Sequence, residues 1–131
     1  MSIKYFAAGL VAAGLLGLSA APVAAESPHP ARDCFFSNQW EGWRSPSPNV
    51  IYIRVGIHDV YRLDLSAGSS QLQSPDMHLV NQVRGSNTIC SALDLDLSIA
   101  DSHGFSEPLF VRTMTKLSPE EVAAIPRQYR P

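Results

Sequence analysis

Two runs in the middle of the chain, VIYIRV at Val50–Val55 and VYRLDL at Val60–Leu65, constrain the fold more than any other feature. Both are rich in β-branched and aromatic side chains. Ile51, Ile53 and Val55 share one face of the first run, and Tyr61, Leu63 and Leu65 share one face of the second. A repeat of two is that of a half-buried strand, whose successive side chains point to opposite faces. Between the runs stand only Gly56-Ile57-His58-Asp59, so the pair is predicted to be an antiparallel hairpin. Arg54, Arg62 and Asp64 then fall mostly on the wet face, where they can pair across strands.

The flanking segments extend this pattern. Cys34–Phe36 and WEGWR at Trp40–Arg44 read as short extended pieces around a turn, closed by the Pro-rich Ser45–Pro48. Ser66–Asp76 reads as a loop, and Met77–Val83 as a strand with Met77, Leu79 and Val83 inward. Gly85-Ser86-Asn87 makes the next turn. From Ile89 to Ile99 every odd position except Ser91 is Ile or Leu, which predicts one period-two strand, or two joined by a bulge. Asp101–Pro108 is a turn region, and in Phe110–Leu117 the residues Val111, Thr113, Thr115 and Leu117 share a face. A short helix follows: Ser118 is its N-cap, Pro119 suits the first helical position, and Glu121 stands three after Ser118 to close a capping box. Pro126 ends it. The fold class is therefore mainly β, a small antiparallel sandwich or partly open barrel of about six strands with one short C-terminal helix. One domain is expected over residues 33–126, with 127–131 a disordered tail.

The N-terminus supplies the compartment. Met1–Ala25 has the pattern of a secretory signal peptide: Lys4 as its single charge, an apolar run over Tyr5–Ala21, and small residues at Val23-Ala24-Ala25. Cleavage is expected after Ala25. The run is shorter and richer in Ala and Gly than the roughly 20 strongly apolar residues of a membrane anchor. Cys34 follows the polar stretch Glu26–Asp33, so it is not placed as a lipoprotein's acylated cysteine. Glu26–Arg32 is read as a flexible leader, and the mature protein as periplasmic or secreted.

The 106 residues that remain of 131 suffice to bury a core. They carry nine Lys and Arg against twelve Asp and Glu, with the signs interleaved. No basic stripe is present to neutralise phosphates, which argues against nucleic acid, and no basic amphipathic segment argues for a membrane surface. Export also changes what Cys34 and Cys90 mean. An oxidising compartment favours a disulfide between them over two buried thiols that never meet. Closing that loop would stabilise the fold by about 4 kcal/mol in the chain-entropy account.

Candidates for chemistry are sparse. His29, His58, His78 and His103 lie far apart, in the leader, in turns or at a strand edge, with no HxH or HExxH pair to fix two metal ligands. Neither a metal nor a cofactor is expected. Asp94 and Asp96 would sit about 7 Å apart on one face of a strand, a spacing suited to Ca²⁺ or to acid–base work, and equally the product of a strand with one wet face. No GxSxG elbow presents a nucleophile. Trp40 and Trp43 are the candidate ligand platform, because flat aromatic faces stack on sugars and anchor interfaces. Three apart in an extended segment, they should face opposite ways, with at least one in the core.

Cys34-Phe35-Phe36, the Trp43 segment, Val60-Tyr61-Arg62-Leu63, Arg84-Gly85-Ser86, Ile89-Cys90-Ser91 and Leu117-Ser118-Pro119-Glu120-Glu121 together resemble an uncharacterised family of small exported proteins of Gram-negative bacteria, the domain-of-unknown-function family 6491. The resemblance covers nearly all of the mature domain and implies compartment and single-domain build, with no activity and no catalytic residues. Members often carry two further cysteines, near Ser69-Ser70 and near Leu109-Phe110. Their joint absence here implies that those two pair with each other and Cys34 with Cys90. It also counts against a four-cysteine metal site.

The leading expectation is an exported, non-enzymatic binding module for another exported protein or a cell-wall glycan. The alternatives are a small metal-dependent or hydrolytic enzyme using Asp94 and Asp96, and a structural envelope protein with no specific ligand.

Overall fold

The structure, a computed structural model, describes residues 33–131. The expected signal peptide, the leader and His29 lie outside them. Along the chain run β1 (Phe35–Phe36), β2 (Trp40–Ser47), β3 (Val50–Val55), β4 (Asp59–Leu65), β5 (His78–Asn81), β6 (Thr88–Ile89), β7 (Leu97–Ala100), β8 (Ser106–Leu109), β9 (Val111–Lys116) and helix α1 (Pro119–Ala124). Short 3₁₀ turns occupy Ser37–Gln39, Ser70–Gln73, Ala92–Asp94 and Arg127–Tyr129.

β3 and β4 form the hairpin that their alternation dictates, with Ile53 opposite Tyr61 and Ile51 opposite Leu63. Asp59 joins β4, which leaves a three-residue loop that Gly56 turns at a φ of +59°, a conformation glycine adopts without steric cost. β2 and β9 flank the hairpin in a four-stranded sheet ordered β2-β3-β4-β9; β5-β7-β8 make a three-stranded sheet and β1-β6 a two-stranded one, all antiparallel. The inward side chains meet in one cluster: Ile51, Ile53, Tyr61 and Leu63 from the large sheet, Leu97, Ile99 and Leu109 from the second, Phe35 and Ile89 from the third. Among the described residues the fold is a small β-sandwich with no closed barrel, of nine strands where about six were expected.

Each departure from the expected pattern has a local cause. The run from Ile89 to Ile99 is not one strand. Asp94 Oδ2 accepts hydrogen bonds from the Cys90 and Ser91 amides, 2.9 Å each, and from Ser91 Oγ at 3.2 Å. A short polar side chain that offers the backbone such an alternative competes with the ladder. The chain turns there, and Leu93 is left 95% exposed. β5 ends at Asn81, so Val83 stands 49% exposed instead of inward. In β9 the pairing slips between Asp64 and Leu65: Thr113 faces Asp64 while Val111 faces Leu65, with Arg112 the extra residue. Val111 and Met114 therefore pack on the core, and Thr113 and Thr115 face solvent. β8 was hidden by Pro108, which is accommodated because β8 is an edge strand.

The C-terminus is better tied than expected. The capping box forms, Ser118 N donating to Glu121 Oε2 at 2.7 Å and Glu121 N to Ser118 Oγ at 3.2 Å. Beyond Pro126 the tail makes a 3₁₀ turn, and Arg130 Nη2 donates to the Ala123 and Ile125 carbonyls at 2.9 Å each. Those oxygens would otherwise be orphans of the helix end.

Cys34 and Cys90 are joined in a disulfide beside β1 and β6, where Phe35 lies opposite Ile89 and its ring packs, tilted by 49°, against Tyr61 with centroids 4.8 Å apart. Such a bond belongs to an oxidising, extracytoplasmic environment. Among the described residues no helix is long and apolar enough to cross a membrane.

Candidate functional site: tryptophan-lined grooves beside β2

β2 is an edge strand, and its pairing with β3 slips between Trp40 and Gly42. Trp40 stands opposite Val55, Gly42 opposite Arg54 and Trp43 opposite Ile53, so Glu41 is the extra residue of a bulge. Residues paired across strands point to the same side, and Val55 and Ile53 point inward. The bulge thus overturns the expectation of opposite faces: both tryptophans lie on the core side of β2. Each is half-buried and packs against the central cluster.

Their remaining surfaces line two grooves where β2 faces β5 and the segment before it. The first, about 330 Å³, is walled by Ser37, Asn38, Trp40, Leu79, Asn81 and Val83. In the second, about 340 Å³, Trp43, Arg44 and Ser45 meet Gln73, Pro75, Met77 and, from the tail, Gln128 and Tyr129. Both lie at the lower end of the roughly 300–1,000 Å³ usual for small-ligand sites. Asn81 Oδ1 accepts from the Asp96 amide at 3.0 Å, which fixes the side chain and leaves its N–H donors without a partner among the described residues. Gln73 Nε2 donates to Ser45 O at 3.3 Å and Ser45 Oγ at 3.2 Å, and Ser45 Oγ in turn shares its single proton between the carbonyls of Ser47 and Val50. The walls of the second groove are thereby pinned to β2 across the irregular stretch around Pro46. Asn81, Gln73 and Tyr129 carried no sequence signal as site residues, because each reaches a groove through tertiary packing alone.

The carboxylate pair dissolves. Asp94 caps the turn described above and Asp96 is paired with Arg84, so the two do not share a strand face. His58, His78 and His103 are all exposed, and no group of three or more His, Cys, Asp or Glu side chains gathers among the described residues.

Two charged clusters remain, and both serve the sheet. On the outer face Asp64 Oδ1 accepts from Arg62 Nη2 at 2.9 Å, and Asp64 Oδ2 from Thr113 Oγ1 at 3.1 Å. Partial burial pushes the Asp64 carboxyl up, but those bonds and the Arg62 and Arg112 charges outweigh it and hold the group below the usual carboxylate range. Beside the disulfide, Lys116 Nζ lies 3.1 Å from Asp59 Oδ2 and 4.0 Å from Asp33 Oδ1, and the hydrogen bond to Asp59 raises its pKa. One cation between two carboxylates ties β9 to β4 and to the start of the domain. No family model, no curated protein and no solved structure matches this chain.

Proposed function

We propose that this chain is an exported periplasmic protein, released by cleavage after Ala25, that acts as a non-enzymatic binding module through the two grooves beside β2. One observation carries the reading: the bulge at Glu41 turns Trp40 and Trp43 to the same side, each beside its own groove. Aromatic surface rimmed by a few fixed polar groups is the usual composition of a recognition site. The disulfide and the signal-like N-terminus support the compartment.

The test is capture from periplasmic extract and on cell-wall glycan, compared with Trp40→Phe, Trp43→Phe and Asn38→Ala. Phenylalanine keeps much of the packing while shrinking the platform, and Asn38 is exposed, so all three variants should keep the wild-type circular dichroism. Loss of capture in these variants is expected. No capture by the wild type, or equal capture by all four proteins, would overturn the reading. Mass spectrometry of the exported protein should find Glu26 at its N-terminus.

A further inference from the structure

Resting on the binding-module reading, we infer that the ligand is an oligosaccharide, uncharged where it crosses Trp40 and carrying an anionic substituent where it reaches Arg44. The first groove has an aromatic wall, hydroxyl and amide groups from Ser37, Asn38 and Asn81, and no charged side chain. That is the complement of a pyranose ring, whose C–H face stacks on an aromatic ring while its hydroxyl or acetamido groups take directed hydrogen bonds. The second groove repeats the pattern with Trp43, Gln73, Gln128 and Tyr129 and adds one cation, Arg44, with no carboxylate in its wall.

Arg44, like Arg130, bonds only backbone carbonyl oxygen and is not neutralised by a carboxylate among the described residues, but of the two only Arg44 stands in a groove wall. Arg62, Arg84 and Lys116 are each paired with an aspartate, whereas the Arg44 guanidinium donates through Nη1 to the Trp43 carbonyl at 2.9 Å and has no carboxylate partner among the described residues. It is exposed, and it stands at the wall of a groove that offers an anion no competing negative charge. Trp40 and Trp43 face β3 residues two apart, which sets their backbones about 7 Å apart along the strand. One extended chain of linked rings can therefore cover both grooves. A protein partner adding a strand at this edge fits less well, since Pro46 and two pairing slips interrupt the hydrogen-bonding row of β2.

The experiment uses two probes with the same backbone: chitotetraose, which is neutral, and a muramic-acid-containing tetrasaccharide, which carries lactyl carboxylates. Binding to the mature protein is read by titration calorimetry and by intrinsic tryptophan fluorescence. Both probes should bind, the anionic one about tenfold more tightly, as one charge-assisted contact permits. Arg44→Gln should remove that difference, bringing the two probes to equal affinity, and Asn38→Ala should weaken both probes. Equal affinity of the wild type for both probes overturns the anionic subsite. No binding of either at millimolar concentration, with a protein captured from extract through the same grooves, overturns the glycan and leaves the binding module standing. No binding and no capture overturn both.

Discussion

Asp64 shows how one side chain here can set a pH dependence. Its carboxyl is held below the usual carboxylate range by Arg62 and Thr113 against the opposing effect of burial. A group with a depressed folded pKa contributes stability that is present above its ordinary value and is lost as pH falls through the folded one. Asp64→Asn should therefore lower stability at pH 7 by less than about 1 kcal/mol, because the Arg62 side chain is 43% exposed and solvent screens the pair. The difference between wild type and variant should then shrink below the usual carboxylate range. Urea midpoints measured at pH 7 and pH 3 check this, and equal differences at the two pH values would refute it. Lys116 has the opposite sign. Its pKa is raised by Asp59, so its contribution is present below the ordinary lysine value and disappears as pH rises through the raised one.

The 3₁₀ turn at Ala92–Asp94 separates what alternation predicts from what the backbone does. Leu93→Gln should change stability by no more than about 0.5 kcal/mol, since the side chain is 95% exposed. Leu97→Ala, four residues on and buried at the start of β7, should cost about 2–5 kcal/mol. Comparable losses from both in thermal melts would restore the continuous strand. The β3–β4 hairpin was legible because its period, its turn and its β-branched residues all lie within sixteen residues, Val50–Leu65. The α1 capping box was legible for the same reason. Ser91 and Asp94 repeat its Ser-x-x-acid spacing, yet the odd-numbered leucines and isoleucines around them carry a stronger apparent strand signal. The bulges at Glu41 and Arg112 could not be read at all. A bulge is a property of the partner's register, and counting along one strand does not see the partner. That is why Trp40 and Trp43 were identifiable as a candidate platform while their shared face, and hence the grooves, were not.

The disulfide is the largest single constraint on the molecule. Cys34→Ala with Cys90→Ala should lower unfolding free energy by about 4 kcal/mol on the chain-entropy account, for a separation of 56 residues. Denaturant melts of the double variant and of the oxidised wild type measure it. A loss below about 1 kcal/mol would mean that the β1–β6 pairing persists without the bond and that little loop entropy is recovered. The expectation of an oxidising compartment was enough to predict this pairing from two residues. The bond also divides the chain unequally. A single cut in the exposed stretch at Ser66–Gly68 falls inside the covalent ring, and the two pieces remain one molecule until they are reduced. A single cut in the equally exposed stretch at Ser102–Gly104 falls outside it and frees β8, β9 and α1 from any covalent hold. To a protease the two halves of this small domain are therefore not equivalent: one can be nicked without loss of a fragment, and the other is held in place by packing alone.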